Sequence, residues 1–216
     1  MLSRIPIVVS RLEKTLPDFD SKFFSIYLMP SLNAFDGTVR DVADRPGVLF
    51  GIDTLAEMGR TQSRKIDAVV THELLHVYQA ERNPAFQSTL NAETPPLYAT
   101  LWSEGLATYT SYALNPGVTV ADALDRDLER TSSATRRAAA CGLLRSFDDA
   151  SPAAAQLYFG GDPHVKTGAL PHRSGYLVGF TIVRSLARHN SLQQLSLLHG
   201  EGLTLTVAKS LRDLCA

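Results

Sequence analysis

Between residues 63 and 81 the apolar positions Ile66, Val69, Val70, Leu74, Val77 and Tyr78 recur at the three-and-four spacing of one helix face. No Gly or Pro interrupts that run, and Asn83-Pro84 ends it. A second helix is predicted over 97–113. Pro95-Pro96 precedes it, where a first-turn proline loses no hydrogen bond, and Asn115-Pro116-Gly117 stops it. Upstream, 8–16 reads as a short amphipathic helix ending at Pro17. Residues 23–29 form a β-branched and aromatic strand closed by Pro30. Residues 33–37 are turn-like. Arg45-Pro46-Gly47 is another turn, followed by a strand of the fully buried type over 48–52. Beyond residue 117 the pattern is helical, with helices predicted over 119–129, 133–147, 174–189, 191–198 and 204–214. Thr119 and Asp122 give the first of these a capping-box-like start. Residues 151–173 show no clear period, and a stretch of that length often serves as a lid or cleft wall.

The 63–81 helix carries His72-Glu73-Leu74-Leu75-His76. Positions four apart share a helix face, so His72 and His76 can turn two imidazoles toward one metal. Glu73 stands one step round the helix, beside such a metal, where a general base for an activated water belongs. Residues 79 and 82 are Gln79 and Arg82, which excludes the metzincin motif with its third His. A carboxylate from another helix remains, and Glu104, in the middle of the 97–113 helix, supplies it. Gly105 beside it lets two helices approach closely. Thr108, one turn on, is the expected second support of a ligand. Three protein ligands leave one position open, as in a catalytic zinc site.

His-Glu-x-x-His followed by Trp102-Ser103-Glu104-Gly105-Leu106-Ala107 resembles the gluzincin metallopeptidases. Residues 175–183, Gly-Tyr-Leu-Val-Gly-Phe-Thr-Ile-Val, are similar to a segment of a bacterial group of predicted zinc-dependent proteases. The resemblance spans about residues 48–190. It implies one Zn²⁺ per chain held by His72, His76 and Glu104, with Glu73 as base and Tyr176 as the hydroxyl that steadies the oxyanion. His172 and Arg173 compete with Tyr176 for that role or for substrate binding. In the gluzincin arrangement the strand nearest the zinc helix pairs with an extended peptide. Residues 48–53, Gly51 among them, are therefore expected to form that substrate-binding edge. His164, in the turn-rich 160–164 run, reads as a surface residue.

The implied fold is α+β and a single domain, 1–216. A mixed lobe over about 1–116 holds an antiparallel-edged sheet and the zinc helix, and an all-helical lobe covers about 117–216. The implied activity is that of a zinc peptidase, an endopeptidase by default. An amide hydrolase acting on non-peptide substrates and an inactive binding module are the alternatives.

Composition narrows the partners. With 44% hydrophobic and 20% charged residues the chain can bury a full core. A net charge of −1, with no basic run, argues against a nucleic-acid partner. No segment has the unbroken apolar length of a membrane span. The apolar run over 5–9 is too short for a secretion signal, which leans the expected location toward the cytoplasm. Cys141 is expected to be buried and inert and Cys215 mobile, with no sequence support for a bond between them. The oligomeric state is open.

Overall fold

The computed structural model describes residues 1–124, 126–161 and 167–216. The architecture is mixed α and β, with helices built around one small sheet. Helix α1 (Ile5–Thr15) leads into β1 (Ser25–Met29), β2 (Gly37–Val42) and β3 (Arg45–Gly51). A short α2 (Ile52–Glu57) leads to the long α3 (Ser63–Arg82), then α4 (Pro84–Leu90) and α5 (Leu97–Leu114). After the short α6 (Val120–Ala123) and α7 (Arg126–Glu129) come α8 (Ser133–Arg145), α9 (Pro152–Phe159), α10 (Ser174–Leu186), α11 (Leu192–Ser196) and α12 (Gly200–Cys215).

The sheet order is β1-β3-β2, with β1 parallel and β2 antiparallel to β3. This corrects the expected edge. β3, which carries residues 48–51, is the middle strand, so both its flanks are already hydrogen-bonded. The free edge beside α3 belongs to β2, a strand that the sequence pattern does not predict and that the turn-like 33–37 reading meets only at Gly37. β2 and β3 join through a two-residue turn at Ala43 and Asp44, both with positive φ (51° and 59°). That is the turn whose twist matches a hairpin. Arg45-Pro46-Gly47 is therefore strand rather than turn.

Two further elements differ from the sequence pattern. The 119–129 helix is interrupted: Leu124 adopts ψ −89°, and only α6 and α7 remain helical, although the Thr119–Asp122 capping box forms as expected. The aperiodic 151–173 stretch contains α9, started by Ser151 accepting from the Ala154 N–H and by Pro152 in the first turn.

One continuous cluster of buried side chains runs from Val8 through Leu74, Leu106 and Val183 to Leu211. Two contacts fix the elements that matter for the site. First, α5 crosses α10 backbone to backbone. A Cβ on Gly105 would lie 2.5 Å from the Gly179 carbonyl carbon, and one on Gly179 would lie 2.6 Å from the Leu101 oxygen. The close approach expected at Gly105 is thus to α10. Second, α1 is pinned to α3. Arg4 and Arg11 both bond the carboxylate of buried Asp67, and Arg11 also reaches Asn115 Oδ1 at 2.7 Å. Asn115 Nδ2 in turn donates to Thr71 Oγ1, 2.7 Å away and next to His72.

The cysteines depart from expectation as well. Cys141 and Cys215 are joined in a disulfide across 74 residues, tying the end of α12 to α8. Among the described residues no helix is long and apolar enough to cross a membrane.

Candidate metal centre

α3 turns His72 and His76 to one side, with ring centroids 4.8 Å apart. α5 brings Glu104 against both. Its Oε2 lies 3.1 Å from His72 Nε2, and its Oε1 lies 3.7 Å from His76 Nε2. One donor atom from each of the three residues lies within 4.8 Å of the others, the only such group among the described residues. Four tetrahedral ligands at the usual 2.0–2.1 Å from zinc sit about 3.3 Å apart, and the two measured separations bracket that value. The donor set fits a divalent metal with nitrogen and oxygen preference.

The support of His76 is visible. Its Nδ1 is 3.1 Å from Ser103 Oγ, which reaches Gln79 Oε1 at 3.5 Å. With Nδ1–H donating to Ser103 and Ser103 donating to Gln79, Nε2 keeps its lone pair for the centre. Thr108, expected in this role, does not fill it: it lines the cleft, but its buried Oγ1 has no hydrogen-bond partner. No spacing rule pointed to Ser103, although it stands inside the quoted 102–107 motif.

Glu73 is buried beside the trio. Burial pushes its carboxyl above the usual carboxylate range, and the nearby charges of Glu104 and Asp36 add to this while His72 and His76 oppose it. Glu104 behaves in the opposite way. Burial would raise it, but His76 and His72 outweigh that and hold it well below the usual range. The two carboxyls are therefore differentiated by environment: Glu104 is held as the anion, while Glu73 binds a proton more readily than an ordinary carboxylate. The start of β2 packs over Glu73 at Gly37. A Cβ on Gly37 would lie 2.7 Å from the Glu73 Cγ and Oε1, so a side chain there would displace the Glu73 carboxyl.

The trio and Glu73 open into a cleft of about 770 Å³, lined also by β2, Arg173 and Tyr176. The Tyr176 ring lies 6.4 Å from the His72 ring, and the Arg173 guanidinium carbon is 4.3 Å from the Tyr176 centroid. Burial, with the Glu104 charge, raises the Tyr176 phenol above its ordinary value; Arg173 opposes them. Tyr176 therefore stays a proton donor. His172 is not part of the cleft lining, and its Nδ1 is buried without a partner. Gly51 also lies outside the cleft. It ends the middle strand, its N–H bonded to the Asp36 carbonyl at 3.1 Å, with Ser31 and Phe35 packed where a side chain would stand. His164 lies outside the described residues.

Two imidazoles and a carboxylate converging beside a second, buried carboxylate define a candidate metal centre of hydrolytic type. The chain belongs to the DUF2268 family, described as predicted Zn-dependent proteases, whose model matches residues 33–202. Neither a curated protein nor a solved structure matches it. Helix α1, with its Arg4 and Arg11 clamp on Asp67, lies outside the matched region.

Proposed function

We propose that the chain is a zinc peptidase of gluzincin type, cutting internal peptide bonds, in which His72, His76 and Glu104 hold one Zn²⁺ and Glu73 is the general base. The observation that carries this reading is the convergence of those three donor atoms next to a carboxyl whose proton affinity is raised by burial. Zinc, when bound, supplies Lewis acidity that lowers the pKa of water toward about 7 and polarises a carbonyl. Glu73 accepts the proton of the attacking water and passes it to the leaving amine, a task suited to a carboxyl that burial holds above the usual carboxylate range. Ser103 and Gln79 hold His76 in the tautomer that leaves Nε2 free. Tyr176, kept protonated by its surroundings, offers its O–H to the developing oxyanion.

The free backbone edge of β2 beside Glu73 favours a peptide over other amides, because an extended chain can add to it as a further strand without its side chains being read. We read 1–216 as one domain whose mixed and helical parts meet at the cleft.

The test is Glu73→Gln. Purified wild type and variant are expected to contain about one zinc per chain. Wild type should hydrolyse a peptide mixture in a chelator-sensitive manner, and the variant should not. Zinc-loaded wild type that leaves every peptide intact, or a variant with normal turnover, would overturn the proposal.

A further inference from the structure

Arg173 stands out among the cations of the cleft. It caps α10 in the left-handed region, at φ 59° and ψ 24°, a conformation that strains a side chain with a Cβ. Its guanidinium is laid over the Tyr176 ring at 4.3 Å. Among the described residues no carboxylate lies within the 4.0 Å of an ion pair with it. Asp36, an acid on the cleft wall, is already engaged by Arg60 at 2.9 Å. Arg173 is half-buried, and a cation so placed gains from an anionic partner, because an aromatic face offsets only part of the lost hydration. Beside Tyr176, the charges of Asp36 and then Glu104 act on Arg173 from a distance; a metal at the His72–His76–Glu104 group would neutralise Glu104 and leave Arg173 facing an open, less negative cleft. A planar fork of N–H donors fixed by stacking suits one ligand above others, a carboxylate bound through two parallel hydrogen bonds.

We propose that Arg173 is a specificity residue that receives a carboxylate of the peptide, so that the cleft selects acidic substrates. The carboxylate has two sources, an Asp or Glu side chain near the cut bond or the C-terminus of the peptide. The proposal rests on the peptidase reading for the nature of the ligand but is read by binding, without turnover. It differs from an oxyanion role for Arg173, which would act on every substrate alike.

The experiment uses the full zinc-loaded chain carrying Glu73→Gln, so that nothing is cleaved, and calorimetric titration with three peptides. These are acetyl-Ala-Phe-Glu-Ala-amide, acetyl-Ala-Phe-Gln-Ala-amide and acetyl-Ala-Phe-Gln-Ala as the free acid. A charge-assisted bidentate contact predicts binding about tenfold to a hundredfold tighter for a carboxylate-bearing peptide than for the neutral one. Preference for the first peptide assigns the side chain, and preference for the third assigns the C-terminus. Adding Arg173→Met should abolish the preference, and Arg173→Lys should retain part of it. Equal affinity for all three peptides overturns the proposal even if neither Arg173 variant folds, and so does a preference that survives Arg173→Met. In the active background, a kcat loss in Arg173→Met that is equal for neutral and acidic peptides would also overturn it. Absence of hydrolysis by wild type would sink the peptidase reading and leave the binding result standing.

Discussion

Gly105→Ala tests the geometry on which the site depends. Residue 105 follows Glu104 directly, and its partner Gly179 lies one turn after Tyr176 along α10. A methyl group at 105 would meet the Gly179 backbone at 2.5 and 2.6 Å, where carbons normally stay about 3.5–4.0 Å apart. The obstacle is backbone, so no rotamer change relieves it, and α5 and α10 must separate by about 1 Å. Overpacking of this kind costs about 1–3 kcal/mol, and alanine returns up to about 1 kcal/mol through its better helix propensity. The expected net loss is about 1–2 kcal/mol, or a fall in Tm of roughly 2–8 °C for a chain of this length.

Gly202→Ala is the control. It also replaces a helical glycine, but a Cβ there meets nothing within 4 Å, so stability should hold or rise by up to about 0.5 kcal/mol. Urea denaturation of both variants gives the stability difference, and competition with a chromophoric chelator gives the zinc affinity. A shift of about 1 Å at Glu104 and Tyr176 is also expected to lower hydrolysis by about a hundredfold. If Gly105→Ala matches wild type in stability and in zinc affinity, the backbone-to-backbone crossing does not position the site as argued.

Ser103→Ala should weaken zinc binding by about 10–100-fold, because His76 loses the partner that orients it; an unchanged chelator titration would remove Ser103 from the site. Reducing the Cys141–Cys215 disulfide should lower stability by about 4 kcal/mol on the chain-entropy estimate for a bond spanning 74 residues. Coincident denaturation curves for oxidised and reduced protein would contradict that. Asp67 sets an acid dependence. Burial alone would raise its carboxyl, but the hydrogen bonds and charges of Arg4 and Arg11 outweigh burial and hold it below the ordinary range. A depressed folded pKa stabilises the fold above the unfolded value of about 4, and the stabilisation drains away as the pH falls through the folded one. Urea midpoints should therefore fall more steeply below about pH 4 in wild type than in Asp67→Asn, and parallel profiles would refute the coupling.

The parts of this molecule that could be read from the chain are those whose signal is local. α3 announces itself by an uninterrupted helical period, α5 by a breaker-poor run between prolines, and the positions of His72, Glu73 and His76 on α3 follow from helical spacing alone. What escaped depends on which elements become neighbours. β2 is only six residues long, begins at a glycine, and is joined to β3 through Ala43 and Asp44, of which Ala43 carries no turn preference although the backbone there is left-handed. Without that hairpin the strand order cannot be derived, and so the free sheet edge was expected at 48–53, next to α3 in sequence, whereas it lies at 37–42, next to α3 in space. Ser103 and Thr108 make the same point within one helix. Both flank Glu104 at plausible distances, yet only Ser103 faces α3 closely enough to meet His76, because the crossing of α5 with α10 at Gly105 and Gly179 fixes how α5 is rotated. The His72–His76 spacing is thus written in one helix, but where Glu104 and Ser103 stand against it is set by how α5 crosses α10, and that crossing rests on Gly105 and Gly179, two glycines inside the quoted motifs whose pairing the sequence does not reveal.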